Sequence, residues 1–529
     1  MRLVFNNLCK FFVLTSLLFP VVLFAQSGYL DLNLENNLRF EKQKYSDSNF
    51  HSNIKPFLLA SNGSEDSLKR MIDIKTAKNS INILLNNNLW IKQGQGFSVY
   101  VNPVLHFSPR FNISTNEILE DFRAGLSIGG NIGKSFSYKL NGIYGTASYT
   151  DYICQKADTS GSLPEIGPFL TRHANRYNYT DITSYISFTP FKSLNLSAGI
   201  GKNFWGEGYR SLFLSEIAPE YPFFKASIDV WKFKYIWLIG YLKNFETTTA
   251  KIEPKLLFSH YLSWNATRWL NFNFFESIIS NPVDSTGVAY FNFNYLNPVI
   301  FFRPVEFAGG SADNALLGFG FKVKIYKKYQ VYSQMVIDEF IWSELKSGSG
   351  WWGNKFGIQA GIKIFDLFRI KSMFLLTELN VVRPYTYSYS NSILNYGSYY
   401  QPLAHPSGGN FKEWVILSHY HKKRLSVQIK GIFCKAGMDS DSISYGQDIH
   451  KSYISRVSDY DNKLLQGYKS NYSHFELKIS WLINPSMNHT VFIALSHEKY
   501  KYPATDAGVT YISSGLKCNI WNTAEDYLQ

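Results

Sequence analysis

Bulky apolar residues take every second position in one segment of this chain after another, and the positions between them are small, amide or charged. Leu317, Phe319, Phe321, Val323 and Ile325 form one such series, with Gly318, Gly320, Lys322 and Lys324 between them. Phe356, Ile358, Ala360, Ile362 and Ile364 alternate with Gly357, Gln359, Gly361 and Lys363. Leu425, Val427 and Ile429 alternate with Ser426, Gln428 and Lys430, and Phe475, Leu477, Ile479 and Trp481 with Glu476, Lys478 and Ser480. Leu194, Leu196, Ala198 and Ile200 against Asn195, Ser197 and Gly199 repeat the theme. A β-strand sends successive side chains to opposite faces, so each segment is a strand with one greasy and one polar face. A lysine in hydrocarbon costs about 2–4 kcal/mol near the bilayer midplane, so the polar face must be wet. The fold this predicts is an all-β transmembrane barrel, apolar toward lipid and polar toward an enclosed lumen. A soluble sandwich also alternates. Against it stand the uninterrupted bulk of the apolar faces and the two length classes of the connections.

Short connections fall at 190–193, 327–328, 365–368, 421–424 and 484–489, and long ones at 147–180, 202–227, 276–287, 338–355, 383–412 and 434–472. Short and long alternate wherever the order can be followed, as in an up-and-down meander with short periplasmic turns and long extracellular loops. The alternating segments predict about 16–18 antiparallel strands, with eighteen the choice because single-chain bacterial barrels have even numbers. The aromatic content fits: 36 Tyr, 42 Phe and 12 Trp make 17% of the chain, a surplus that two interfacial girdles would use.

The N-terminus predicts export. Arg2 and Lys10 form a basic start, 11–24 an apolar run, and Ala25 a small residue before a cut, so 1–25 reads as a signal peptide. No later apolar run reaches the length of a transmembrane helix. Residues 26–94 read as a periplasmic cap or plug, with Ser64, Glu65, Asp66 and Ser67 at a helix start and Leu68, Met71, Ile72, Ile81, Ile83 and Leu84 as apolar positions of one or two helices. Residues 95–522 read as the barrel and 523–529 as a tail. The formal charge of +13 is spread thinly over strands and turns, which reads as lumen and rim solvation, with an acidic glycan or lipopolysaccharide phosphates as the functional alternative. Export argues against nucleic acid. Cys154, Cys434 and Cys518 are an odd number in the mature chain and make no disulfide framework.

At 201–222 the chain reads GKNFWGEGYRSLFLSEIAPEYP. Further stretches are YLNPVIFFRPVEF at 295–307, DNALLGFGF at 313–321, QVYSQMVIDEF at 330–340, WWGNKF at 351–356, ELNVVRPYTY at 378–387 and NYGSYYQPLAHP at 395–406. Together, in this order, they resemble the capsule-assembly Wzi family of outer-membrane barrels, in the branch from gliding Bacteroidetes-type bacteria that includes the motility-associated RemB proteins. The resemblance implies an 18-stranded barrel with an N-terminal helical element, and attachment of a long surface polysaccharide without chemical change.

Sugar polymers are held by aromatic faces, with carboxylates, amides and arginine on the hydroxyls and acidic groups. Trp205, Glu207, Tyr209 and Arg210 in one long loop, Trp351 and Trp352 in a second, and Arg383, Tyr385, Tyr387, Tyr399, Tyr400 and His405 in a third supply that mixture, and are expected to meet over the mouth as the glycan site. The competing role for these aromatics is an interfacial girdle. Arg303, Glu306, Asp338, Glu339, Glu378 and Arg383 are charged positions in the wall, expected to pair across the lumen and knit plug to wall. Asp338 and Glu339, as strand neighbours, should face opposite ways and not share a substrate bond. No cofactor or metal motif is present: there is no G-x-S-x-G, Walker loop, H-E-x-x-H or zinc-spaced Cys pair, and His419 and His421 share a strand face without a third ligand nearby. The function expected is a non-catalytic, monomeric polysaccharide-binding and anchoring protein. An open porin or transporter and an outer-membrane hydrolase are the alternatives.

Overall fold

The computed structural model describes residues 28–59, 85–246, 251–282, 293–298, 313–502 and 505–522. The expected signal peptide at 1–25, the helical stretch at 64–84, Arg303, Glu306 and the tail at 523–529 lie outside them. Eighteen long strands form a closed antiparallel barrel. In chain order they are β1 (Phe97–Phe107), β2 (Asp121–Ile132), β3 (Phe136–Ser148), β4 (Arg176–Phe191), β5 (Leu194–Gly201), β6 (Tyr221–Val230), β7 (Phe233–Glu246), β8 (Lys251–Trp264), β9 (Leu270–Ser280), β10 (Asn314–Ile325), β11 (Tyr329–Glu339), β12 (Lys355–Phe365), β13 (Met373–Val382), β14 (Phe411–Lys422), β15 (Leu425–Met438), β16 (Tyr468–Asn484), β17 (His489–Tyr502) and β18 (Thr505–Cys518). Each strand pairs with its neighbours in sequence. The ring closes where β18 meets the end of β1 at Leu516↔Phe107 and a short extension, Arg110–Asn112, at three further pairs.

The alternation seen in sequence decides the faces. In β10, Phe319 and Phe321 point outward, exposed at 47% and 39%, while Lys322 between strands β9 and β11 points inward at 1%. Ile358, Ile429, Phe475, Ile479 and Trp481 are likewise outside, and Gln359, Lys363, Gln428, Lys430 and Glu476 are buried inside. No helix among the described residues is long and apolar enough to cross a membrane. Strands do the crossing.

The two ends of the barrel differ. At one end eight short turns join β2–β3, β4–β5, β6–β7, β8–β9, β10–β11, β12–β13, β14–β15 and β16–β17. Five of these turns, taken consecutively from β4–β5 to β12–β13, carry an aromatic residue beside a basic one: Phe191 with Lys192, Trp231 with Lys232, Trp269 with Arg268, Tyr326 with Lys327, and Phe368 with Arg369. At the other end lie the long loops. Two connections there are short, because Glu246 pairs with Lys251 and Tyr502 with Thr505.

The lumen is occupied. Residues 28–59 enter it from the short-turn end with two six-residue helices, α1 (Leu34–Arg39) and α2 (Glu41–Ser46). The Asn33 side chain caps α1 by accepting from the Asn36 amide at 3.1 Å, as a helix start requires. This segment follows the inner rim from turn to turn. Arg39 donates to the Lys423 carbonyl at 3.0 Å, Lys42 pairs with Asp366 at 2.6 Å, Tyr45 reaches the Ile325 carbonyl at 3.3 Å, and Asn265 donates to the Asn49 carbonyl at 3.1 Å. The expected plug therefore lies inside the ring, and its described helices precede the 64–84 stretch.

Candidate functional site

From the opposite end the loop at 202–220 folds down onto this segment, and Phe204–Trp205 forms a two-residue antiparallel ladder with Ile54–Lys55. Wall side chains take up the loop's backbone. Glu378 accepts from the amides of Tyr209 and Arg210 at 2.9 and 3.0 Å and from the Tyr332 hydroxyl at 2.7 Å. Gln334 accepts from the Leu212 amide and donates to the Trp205 carbonyl, both at 3.0 Å. The approach is close enough that a Cβ on Gly208 would fall 1.9 Å from a Glu378 oxygen, which is why only glycine fits there.

Most residues expected to bind sugar are spent on this packing. Trp205 is fully buried between Tyr261 and Phe275, with ring centroids at 5.2 and 6.0 Å, and has no face left for a sugar ring. Arg210 is buried against Glu413 at 3.1 Å, and His405 holds the same carboxylate at 2.7 Å. Glu207 sits among Lys322 at 2.8 Å, Ser52 at 2.6 Å and Gln330 at 3.1 Å, joining the N-terminal segment to the wall. Tyr209, Tyr385 and Tyr387 are buried as well. Tyr385 donates to the Ser444 carbonyl and Tyr387 to the Leu212 carbonyl, so the loop at 383–410 is tied both to the loop at 439–467 and to the one that folds inward. Arg383 donates to the Asn354 carbonyl at 2.8 Å and lies over Phe356. The reason common to these contacts is desolvation: polar groups buried in so full a lumen are held by partners within the protein.

Glu378 and Asp338, expected to pair with arginine across the lumen, instead join the wall to the loops at 202–220 and 383–410. Glu378 binds backbone amides, and Asp338 accepts from the Tyr387 amide at 2.9 Å and pairs with Lys355 at 3.1 Å. Lys355 also reaches Glu339 at 3.2 Å. Adjacent strand residues share one cation because the pairing of β11 with β12 shifts register between Ile337 and Glu339, a bulge that breaks the alternation on which their separation was expected.

Acid should loosen the plug. Burial alone would raise the Glu41 carboxyl, but Lys363, Lys44 and Lys55 outweigh it and hold its pKa at about 2 against an ordinary 4.5. A depressed carboxylate stabilises the folded state above its unfolded pKa and loses that contribution as the pH falls through the folded one. Cleavage of residues 28–59 by pepsin should therefore increase between pH 4.5 and 2, and Glu41→Gln should flatten that dependence. A wild-type profile flat across this window would contradict the role of Glu41.

The outer surface holds a different aromatic cluster. Trp351 and Trp352, from the loop at 340–354, are half-buried with centroids 6.0 Å apart. The Arg456 guanidinium lies 4.2 Å from the Trp352 ring and pairs with Asp459, while Tyr453 packs on Trp352 at 4.5 Å. The Trp352 amide donates to the Asp459 carbonyl, locking the two loops together. Exposed Tyr460 and Trp342 extend this surface. Of the expected sugar-binding set, only Trp351 and Trp352 belong to it. Tyr453, Arg456 and Asp459, from the long connection at 434–472, stand beside them without having been among the expected residues; the signal available was that loop's own Tyr, Arg and Asp content.

An 18-stranded antiparallel barrel with an apolar outer face and an occupied lumen is the fold of an outer-membrane protein. A scan against family models finds no match, and a search of curated proteins finds none. Among solved structures, the chain is similar to Wzi of Escherichia coli, an outer membrane protein involved in group 1 capsule assembly and described as a carbohydrate-binding β-barrel: 12% identity over 93% of this chain and 99% of that one, with a TM-score of 0.55. At that identity the likeness is one of fold. Two barrels are matched more loosely: OpdK of Pseudomonas aeruginosa, solved with vanillate (8% identity, 79% and 97% covered, TM-score 0.42), and OccAB2 of Acinetobacter baumannii (10%, 80% and 98%, 0.43). None of the three bears on the gliding-bacteria branch.

Proposed function

We propose that this protein is an outer-membrane barrel that binds a surface polysaccharide through its long loops, with a blocked lumen and no catalytic step. The short turns then face the periplasm and the long loops the exterior. The observation that carries the reading is the filled lumen beneath an outer Trp351, Trp352, Tyr453 and Arg456 cluster: a structure that closes its own pore while presenting aromatic and charged groups outward suits retention of a polymer better than passage of a solute. The fold likeness to a carbohydrate-binding barrel supports it. Two voids beside the plug measure about 100 and 60 Å³, room for a few waters each. Capsular or exopolysaccharide is the partner class, with the barrel acting as a monomer among outer-membrane lipids. A role in slime attachment or gliding would be a cellular consequence of the same binding.

Trp352→Ala and Arg456→Ala are each expected to weaken retention of the cells' own polysaccharide about tenfold, the loss of one stacking face or one desolvated cation–π contact. Pull-down of purified polysaccharide by detergent-solubilised protein measures it. Full binding by both variants would remove this cluster from the function, and absence of binding by the wild type to any surface polymer of its cells would remove the function.

A further inference from the structure

The eight short turns together contain ten Lys or Arg residues and a single carboxylate, Asp366, which Lys42 of the plug already neutralises. The long loops carry both signs. Aromatic residues stand beside the cations in five consecutive turns. Tyr326 is 90% exposed, and Trp231 and Phe368 are each 77% exposed, at the edge of a wall whose outer face is apolar. Their backbones are also costly for such side chains. Trp231, Tyr326 and Phe368 have φ of 55°, 49° and 52°, in the left-handed region where glycine, asparagine or aspartate are the ordinary turn residues. A turn that needed only to reverse the chain would not place large rings there.

We propose that this rim is a belt for anionic phospholipid headgroups of the periplasmic leaflet. The inference rests on the orientation proposed above. An aromatic ring at the bilayer interface settles at the level of the headgroups and glycerol, and a neighbouring cation then stands where the phosphates are. The doublets repeat that pairing around five successive turns, and Lys232, lying 5.2 Å from the Trp231 ring, shows the two groups side by side. A folded acidic protein would be met by a patch facing along the barrel axis. Doublets spaced along an arc of ten strands match lipids, which line the outside of the wall.

Native mass spectrometry of the full-length protein, released from detergent after titration with phosphatidylglycerol or phosphatidylethanolamine of the same acyl chains, tests this. The wild type should retain phosphatidylglycerol about tenfold over phosphatidylethanolamine, and a variant carrying Arg268→Gln, Lys327→Gln, Arg369→Gln and Lys371→Gln should lose that preference, since one cation near anionic headgroups is worth roughly fivefold. If that variant does not fold, raising the wild type to about 0.5 M salt should erase the preference by screening. Equal retention of the two lipids by the wild type, or a preference unmoved by neutralisation or salt, overturns the proposal. Orientation is read separately, by labelling cysteines placed at Ser135 and at Ser458 in intact cells. Surface labelling at Ser135 overturns the orientation and with it the assignment to the periplasmic leaflet, whatever the headgroup preference.

Discussion

Deleting residues 28–59 is expected to turn a barrel that passes almost no current in a planar bilayer into one with a stable open conductance. The segment supplies the two helices described in the lumen, and its Glu41 and Ser52 join Lys363, Lys322 and Glu207 into one buried network. Without it, the lysines of β10 and β12 would face water, which an aqueous channel provides. The wall has its own ladder between every pair of neighbours and should persist, visible as a shift in gel mobility on heating. If the truncated, folded barrel conducts no more than the intact one, the loops at 202–220, 383–410 and 439–467 close the pore unaided and the plug is redundant.

The second large effect is expected at Arg210. Arg210→Met would leave Glu413 buried without its guanidinium, held by His405 at 2.7 Å and the Asn380 side chain at 3.1 Å, and breaking a buried ion pair from one side costs about 3–5 kcal/mol. Unfolding of the detergent-solubilised protein by denaturant measures it. Arg210→Met combined with Glu413→Leu removes both charges and should recover much of the loss, because replacing the pair avoids stranding a charge. A single variant within about 0.5 kcal/mol of wild type would mean that the Glu378 and Gln334 contacts hold the loop without the pair.

The wall was legible in sequence because hydrocarbon and an enclosed wet lumen impose opposite demands on successive residues. Phe319 and Lys322 lie on the faces their spacing predicts, and the short turns fall where apolar series end. What was not legible is whatever depends on which way a loop turns. Trp205 and Arg210 stand in a stretch rich in aromatic and charged residues, a composition that suits a sugar site and a buried anchor equally; only the wall residues that receive them, Tyr261, Glu378 and Glu413, decide, and these are remote in sequence. The helices of the plug are six residues long, too short to leave a helical period, and Glu35 is satisfied by Ser480 across nearly the whole chain. The basic residues of the short turns were hard to read together for a similar reason: scattered one or two to a turn along the chain, they are brought by the meander onto one rim.

The seam between β18 and β1 has one pair of residues in register, and three more on the short extension, whereas β3 and β4 share thirteen. Just past β18 the chain bends inward, and the N-terminal segment grips it: Asn33 donates to the Trp521 carbonyl at 2.8 Å, the Leu34 amide to Asn522 at 2.6 Å, and Asn36 to the Asn519 carbonyl at 3.0 Å. The N-terminal segment and the residues after β18 thus rivet the ring at its thinnest joint. Seating the N-terminal segment and sealing the hoop become one cooperative event, and a force that drew the segment out would begin to unzip the cylinder from its last stave.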